Sequence, residues 1–257
     1  MRQKALVFFA LFIVGLTACD NPSEAQIRPI CLSRGFDLQG ADEPRCFTPN
    51  EVKAFLDREL TRTGSGNALP LTLTHPEKVD IRETMSTCRA YLKHAGKGWY
   101  AMSGRDMRVE GLYIRNCLLL EHITKARGAR VSHIEEAENL LTRMSDLPLA
   151  LVEPLRFGPA AEQAMAADIK KQSFQEAIAT GDVTILSTSD KTLRLEYDGV
   201  EGTYQEVARG DFDGDGNEDA YVFISAAQKG GSARWHSTVL LSRASPDGAL
   251  TVQALKG

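Results

Sequence analysis

The stretch GDFDGDGNEDAYVF, residues 210–223, places five carboxylates directly before an apolar run rich in β-forming residues. Aspartates stand at the alternate positions 211, 213 and 215, and Gly216 follows where the backbone can turn sharply. A hard cation such as calcium takes about six to eight oxygen ligands, which a chain can supply from alternate positions around a tight turn. The stretch therefore predicts a cation-binding turn, the acidic loop of residues 211–219, that leads directly into a β-strand.

The ligands of the acidic loop follow from its spacing, Asp-x-Asp-x-Asp-Gly-x-x-Asp. Only every second side chain can face an ion that the loop wraps, so we expect Glu218 to point away from it. The alternative is a metal-free turn held by hydrogen bonds from its own side chains. Against that alternative, closely spaced carboxylates repel one another unless a cation offsets their charge. The predicted calcium (Ca²⁺) ligands are the side chains of Asp211, Asp213, Asp215 and Asp219 and the backbone carbonyl of Asn217.

The acidic loop departs from the EF-hand pattern, which requires a bidentate glutamate at its twelfth position, where this chain has Val222. Residues 209–223, RGDFDGDGNEDAYVF, instead resemble the calcium loops of FG-GAP and VCBS-type β-repeats, both in ligand spacing and in the strand that follows. The resemblance implies a structural calcium site closed by Asp219. Because a β-propeller needs several such repeats and this chain has one, the resemblance implies the metal site of these families and not their propeller.

The first residues of the chain, MRQKALVFFALFIVGLTACD, have the features of an export signal. A basic start precedes an apolar run at residues 6–18, which is shorter than the about 20 residues that span a bilayer. The sequence LTAC at residues 16–19 resembles the lipobox of bacterial lipoproteins, which implies cleavage before Cys19 and its modification with palmitate or similar acyl chains. Asp20 resembles an inner-membrane retention signal. The alternative is an ordinary signal peptide with a chance cysteine. We therefore expect a bacterial envelope protein anchored to the membrane through Cys19, facing the periplasm and favouring the inner membrane.

The charge of the chain bears on its partners. The formal net charge is −4, and no run of lysines and arginines occurs. Nucleic-acid binding depends on neutralising phosphates with clustered basic residues. The composition therefore predicts that nucleic acid is not a partner.

Four cysteines remain after Cys19, an even number that suggests two disulfides in an exported chain. We favour Cys31–Cys46, which brackets a polar segment with little to pack, and Cys88–Cys117, whose thiols are expected to face the core from two helices. For Cys88 this rests on a helix that also includes residues 81 and 85. The other pairings stay open, and a metal site is disfavoured because CxxC and HxxxH spacings are absent from the sequence.

The pattern of apolar and turn residues predicts an α+β fold. A signal peptide at residues 1–18 and a lipid-anchored tether with a disulfide loop at 19–47 precede a helical region at 48–180 and a small antiparallel β region at 181–257. Helices are expected to begin near residues 48, 81, 105, 132 and 160, the last closed by Gly181, from caps and apolar spacing. Short β-prone segments are expected at residues 183–186, 193–197, 204–208, 220–224, 237–241 and 250–252.

Catalytic motifs give little guidance to function. The patterns GxSxG, HExxH and the P-loop do not occur in the sequence. We favour a non-enzymatic binding or envelope-assembly module, with an envelope protein or cell-wall component as its partner. The alternative is a periplasmic or cell-wall hydrolase whose site is assembled from residues far apart in sequence.

The lipobox generates a prediction about anchoring. Cys19→Ser removes the thiol that would carry the acyl chains, so the variant should leave the membrane fraction or accumulate as an uncleaved precursor. Metabolic labelling with palmitate, followed by fractionation, measures both effects. Equal labelling of the variant and the parent chain would refute lipidation at Cys19.

Overall fold

The fold is described from a computed structural model. The expected signal peptide, Cys19, Asp20 and most of the expected tether lie outside the described residues, as do parts of the helices expected from residues 132 and 160. The structure describes residues 28–33, 36–38, 43, 45–62, 66–134, 140–155, 173–189 and 191–255.

A large antiparallel sheet organises the chain. Its strands pair in the order β10-β9-β8-β7-β1-β2, while β6 also pairs with β7, and β5 pairs with β6. The expected β-prone segments all form strands of this sheet, which confirms an antiparallel, mostly C-terminal β region. The strands are β1 (Ile30–Leu32), β2 (Cys46–Phe47), β5 (Val183–Ser189), β6 (Thr192–Tyr197), β7 (Val200–Gly210), β8 (Asp219–Gln228), β9 (Arg234–Ser242) and β10 (Thr251–Ala254).

Strand β7 is long enough to pair with two different strands along the same edge. Its first half pairs with β6, and its last residues pair with β1. At the change of neighbour, the register with β8 shifts by one residue, so that Val207 forms a bulge. The carboxylate of Glu206, which is buried here, accepts hydrogen bonds from Lys191 Nζ at 2.6 Å, Arg209 Nε at 2.9 Å and Ser33 Oγ at 3.3 Å. Glu206 thereby links the segments that carry β6 and β1.

The sheet buries side chains on both faces. Successive residues of a strand point to opposite faces, and in β8 the apolar residues alternate between two clusters accordingly. Tyr221 and Phe223 pack with residues from the helices between positions 49 and 125, whereas Val222 and Ile224 pack with segments between positions 134 and 180 that include 3₁₀ turns and the last helix. Strand β8 is therefore the central strand of the core.

Helices occupy the middle of the chain. The helix expected from residue 105 is confirmed as one continuous helical stretch with a π-helical turn inside it. Ser103 caps its start by accepting a hydrogen bond from Asp106 N–H at 2.9 Å. The helical elements are α1 (Pro49–Lys53), α2 (Cys88–Leu92), α3 (Gly104–Tyr113), the π turn (Ile114–Leu118), α4 (Leu119–Lys125), two 3₁₀ segments (Leu140–Thr142 and Leu149–Leu155) and α5 (Phe174–Thr180).

The prediction of a helix beginning at residue 81 is wrong. Residues in this segment form strand β4 (Arg82–Met85), which pairs with β3 (Leu71–Thr74), and the helix α2 begins at Cys88. The hydroxyls of Thr72 and Thr84 meet across the hairpin at 2.9 Å, so a neighbouring strand overrides the local helical spacing. Ile81 is 43% exposed and does not share a buried helical face with Cys88.

The ends of other helices follow the sequence more closely. The capping box of Thr48 and Glu51 is confirmed, although α1 ends at Lys53 and the chain then turns. Ser173 and Glu176 form a second capping box at the start of α5, and Gly181 ends it at φ 83°, a conformation that favours glycine.

Both favoured disulfides are present. Cys31–Cys46 joins β1 to β2, and Cys88–Cys117 joins α2 to the π turn, which includes Cys117. The residues up to position 47 thus contribute two strands to the large sheet as well as a cross-linked loop. No helix in the described part of the chain is long and apolar enough to cross a membrane.

Tyr113 gives a test of how α3 is joined to the β3–β4 hairpin. Its buried hydroxyl lies 3.0 Å from the carbonyl oxygen of Leu69 and 3.1 Å from that of Met85. Tyr113→Phe should lower the free energy of unfolding by about 1 to 3 kcal/mol, because buried carbonyls lose a donor. Urea denaturation under oxidising conditions measures this loss. Tyr91→Phe is the control, since its ring packs on Tyr113 at 5.3 Å but it bonds neither carbonyl; equal losses in both variants would contradict the prediction.

Candidate metal centre

The acidic loop connects β7 to β8 and is held at both ends. Gly210 pairs with Asp219 where the two strands meet the loop. On its outer side the loop is fastened to the segment after α4. Arg127 and Asp211 exchange backbone hydrogen bonds of 3.0 and 3.3 Å, and Glu218 N–H donates to Val131 O at 2.8 Å. The loop is therefore fixed between the sheet and residues 127–131, and is not a free surface turn.

Within the loop, carboxylates accept hydrogen bonds from backbone N–H groups further along the chain. Asp211 accepts from Gly214 at 2.7 Å with Oδ1 and from Gly216 at 3.1 Å with Oδ2. Asp213 Oδ1 accepts from Asp215 N–H at 3.0 Å. Both glycines have positive φ, 88° and 92°, a conformation that L side chains rarely adopt. The repeated glycines thus let the backbone coil around the carboxylates.

Three carboxylates converge in this coil. Asp211, Asp213 and Asp215 each offer one oxygen, and these oxygens all lie within 4.8 Å of one another; Asp211 is buried while the other two are exposed. Calcium binds oxygens at about 2.3–2.6 Å, so two oxygens on one ion are at most about 5 Å apart. The donor chemistry and the spacing therefore both fit a calcium ion.

Asp219 lies outside this group of converging oxygens. Its carboxylate is fully buried, with Oδ2 accepting from Phe212 N–H at 2.9 Å and Oδ1 accepting from Ser242 Oγ. The pKa of Asp219 is raised to about 6, mainly by burial and to a smaller extent by the nearby carboxylates of Asp213 and Asp215, while its hydrogen bonds from Ser242 and Phe212 act to lower it. In this arrangement Asp219 joins the start of the loop to β9.

Asn217 and Glu218 contact different neighbours. The backbone and side-chain nitrogens of Asn217 donate to the two oxygens of Asp215 at 2.7 and 2.9 Å. The carboxylate of Glu218 is buried and accepts from Ser132 Oγ at 2.8 Å. Ser132 was expected to cap a helix with residue 135, which lies outside the described residues. Its hydroxyl instead bonds Glu218 and the backbone of Ile134.

Two arginines near the loop were not predicted from sequence. Arg127 and Arg130 line a cavity of about 390 Å³ together with Asp211 and Asp215. The cavity gives solvent a path to these carboxylates, and the guanidinium groups add positive charge at its wall. Because these arginines precede the loop by more than 80 residues of sequence, no local pattern indicated them.

A scan against protein-family models, a search of curated proteins and a search of solved structures each found no match to this chain. The metal chemistry therefore rests on the geometry of the acidic loop.

The buried carboxyl of Asp219 generates a pH prediction. A carboxyl group whose pKa is higher in the folded chain than in the unfolded chain stabilises the fold at pH values below its unfolded pKa. That contribution is lost as the pH rises from the unfolded pKa through the folded pKa. The ordinary value is 3.8 and the folded value about 6, so the loss falls between about pH 4 and 6 and amounts to about 2 to 3 kcal/mol.

Urea unfolding of the chain in chelator measures this effect as the difference between the parent chain and Asp219→Asn. The parent should lose stability relative to the variant as pH rises over that interval, and the difference should be constant above it. A difference that does not change between pH 4 and 6 would contradict the assignment.

Proposed function

We propose that the chain is an extracytoplasmic, lipid-anchored binding or envelope-assembly module whose β region is stabilised by a structural calcium ion. The convergence of three carboxylate oxygens within 4.8 Å in the acidic loop is the observation that carries the calcium site. Asp219 and the carbonyl of Asn217 would complete the ligand set. For Asp219 this requires its carboxylate to turn from Phe212 N–H towards the ion.

The compartment follows from the cross-links. Two disulfides indicate an oxidising, extracytoplasmic location. The finer assignment, a periplasmic protein held at the inner membrane, is supported by the lipobox at residues 16–19 and by Asp20. Calcium is compatible with this location, because extracellular calcium modules bind at about 10⁻⁴ to 10⁻³ M and stay largely loaded where calcium is abundant.

A structural role for the ion follows from where the loop is attached. The loop connects two central strands and is fastened to residues 127–131 by backbone hydrogen bonds. Neutralising its carboxylates would relieve their repulsion and stabilise the contact between the sheet and the end of the helical region. The ion would then act as a brace and not as a catalytic Lewis acid.

The hydrolase alternative gains no specific support. Glu110 and His236 line one groove, but Glu110 accepts a hydrogen bond from the backbone of Ala101. Nδ1 of His236 is buried without a hydrogen-bond partner. In the part of the chain described, these two groups do not form the hydrogen-bonded pair expected of a general acid and base.

Calcium should stabilise the folded chain. A ligand that binds only the folded state adds about 1.4 to 2.7 kcal/mol at 10 to 100 times its dissociation constant. We expect calcium at about 10 mM to raise the melting temperature of chelator-treated protein, and magnesium to do so poorly because it requires a tighter octahedron and retains its water. Calorimetric titration measures the binding directly.

Variants of the loop make this test specific. Asp213→Ala should abolish the calcium-dependent rise, because it removes an exposed ligand. Glu218→Gln should keep most of the rise, since the side chain can still bond Ser132. Asp247→Ala, which removes an aspartate from the turn before β10, is the matched control for charge. No calcium binding at millimolar concentration, or an equal rise in Asp213→Ala, would reduce the acidic loop to a turn held by its own hydrogen bonds.

A further inference from the structure

A groove lies over the face of the large sheet that packs against α1 to α4. Tyr221 and Phe223 of β8 point to this face, and alternate residues of a strand point to the same face. Ser225 is therefore on it too, as is its partner on β9, His236, whose ring stacks on Phe223 at 5.5 Å. Arg234 precedes His236 by two residues and follows it on the same face. These side chains form the floor of the groove.

Helix α3 forms one wall of this groove. A Cβ atom at Gly111 would lie 2.3 Å from Nε2 of His236, so α3 approaches β9 closely because residue 111 is glycine. The groove lies beside the earlier turns of the helix, at Gly104, Met107 and Arg108. Gly104 is about 10 Å from Gly111 along the helix axis. The contact at Gly111 thus fixes how far these first turns stand from the sheet.

The size and lining of this groove, which we call the α3 groove, fit a small molecule. Its volume is about 860 Å³, and small-molecule pockets usually have about 300–1,000 Å³ and combine apolar walls with a few polar groups. Met107 is 43% exposed and Tyr100 is 38% exposed, and exposed apolar side chains that gather in a concave surface mark binding sites. The α3 groove is lined by Tyr100, Met107, Arg108, Ser225, Arg234 and His236, among others.

Charge in the α3 groove favours an anionic ligand. Arg108 and Arg234 both line it and are both exposed, and neither forms an ion pair with a carboxylate of the described residues. The one acidic residue in its lining is Glu110, which accepts a hydrogen bond from the backbone of Ala101 and whose pKa is raised by burial. The lining thus carries two positive charges and at most one negative charge, in a chain whose formal net charge is −4.

The rest of the lining is neutral or apolar. Burial, followed by the charges of Arg115 and Arg234, lowers the pKa of His236 to about 4, so its imidazole is neutral near pH 7. Met107 and Ile114 add apolar surface on the α3 side. The positive charge of the groove therefore comes from the two arginines, which lie beside surface that suits an apolar group.

We propose that the α3 groove binds a small organic anion, a carboxylate or phosphate monoester with an apolar body. The anionic group would contact Arg108 and Arg234, because guanidinium groups match the geometry of carboxylate and phosphate oxygens. The apolar body would pack against Met107 and Ile114. This gives the proposed binding module a ligand class and rests on that proposal for its biological setting, but it uses no residue of the acidic loop.

Calorimetric titration of the full chain with hexyl phosphate and with heptanoate tests the ligand class. At least one of these anions should bind saturably, and the tighter of the two identifies the preferred anionic group. Hexylammonium, which joins a similar apolar chain to the opposite charge, should bind at least about tenfold more weakly. Shortening hexyl phosphate to butyl phosphate should weaken binding by up to about fourfold for each methylene group that is no longer buried.

Variants of the lining test the location of the site. Arg108→Gln and Arg234→Gln each remove one charge and should each weaken binding of the anion at least about fivefold. Arg28→Gln makes the same change at an exposed arginine outside the groove and should bind within about twofold of the parent chain. Met107→Ser should weaken binding about threefold to tenfold. Its control is Met102→Ser, at a residue that is 53% exposed and does not line the groove.

Several results would overturn the proposal. These are the absence of saturable binding of either anion at about 10 mM, equal binding of hexylammonium, and groove variants that bind like Arg28→Gln and Met102→Ser. A dimer that Arg234→Gln dissociates, without binding of either anion, would indicate that a second copy of the chain occupies the groove instead.

The titration is repeated in chelator and with Asp213→Ala, because an anion could also bind to a calcium ion in the acidic loop. Binding in the α3 groove should persist under both conditions, and its loss under either would place the anion at the loop and overturn the proposal. Since calcium binding is measured separately, anion binding without calcium binding would overturn the calcium site alone.

Discussion

The pairing of β7 with β8 is the interaction on which the rest of the fold depends. Strand β8 is buried on both faces by packed segments, and its two edges are paired with β7 and β9. The helices α1 to α4 pack on Tyr221 and Phe223, and the 3₁₀ segments and α5 pack on Val222 and Ile224. Neither layer could bury its apolar side chains without this pair. The acidic loop then closes the same pair at one end.

Two carboxyl groups, those of Glu206 and Asp219, are buried in this pair of strands, and their burial costs free energy. A buried carboxylate is tolerated when it is paired, as Glu206 is with Lys191 and Arg209. Asp219 has hydrogen bonds from Phe212 and Ser242 but no cation beside it among the described side chains, and its pKa is raised to about 6. The two buried acids therefore differ in how their charge is balanced: Glu206 is paired with basic side chains, whereas Asp219 is held by neutral hydrogen-bond donors.

Local signals were enough for much of the fold and of the candidate site. The cap at Thr48, the turn at Gly181 and the spacing of the aspartates depend on neighbours within a few residues, and each was predicted from the sequence. The cap at Ser173 was not predicted, because the helix that Gly181 ends was expected to begin near residue 160. The strand β4 was missed because the apolar residues at 81, 85, 88 and 92 also fit helical spacing, and the pairing with β3 in the neighbouring hairpin overrides that spacing. Asp219 bonds Ser242, and Glu218 bonds Ser132, so the surroundings of both side chains depend on distant segments. The alternation of side chains in the acidic loop indicates which of them lie on the same side. It does not indicate which distant residues form hydrogen bonds with those side chains.

The same limit explains why the groove between α3 and the ends of β8 and β9 has no signature in the sequence. Met107 and Trp235 are separated by more than 120 residues and line this groove together, where Gly111 lets α3 approach His236. A calcium ion at one end of β7 and β8 would hold these strands in register without covering the other end.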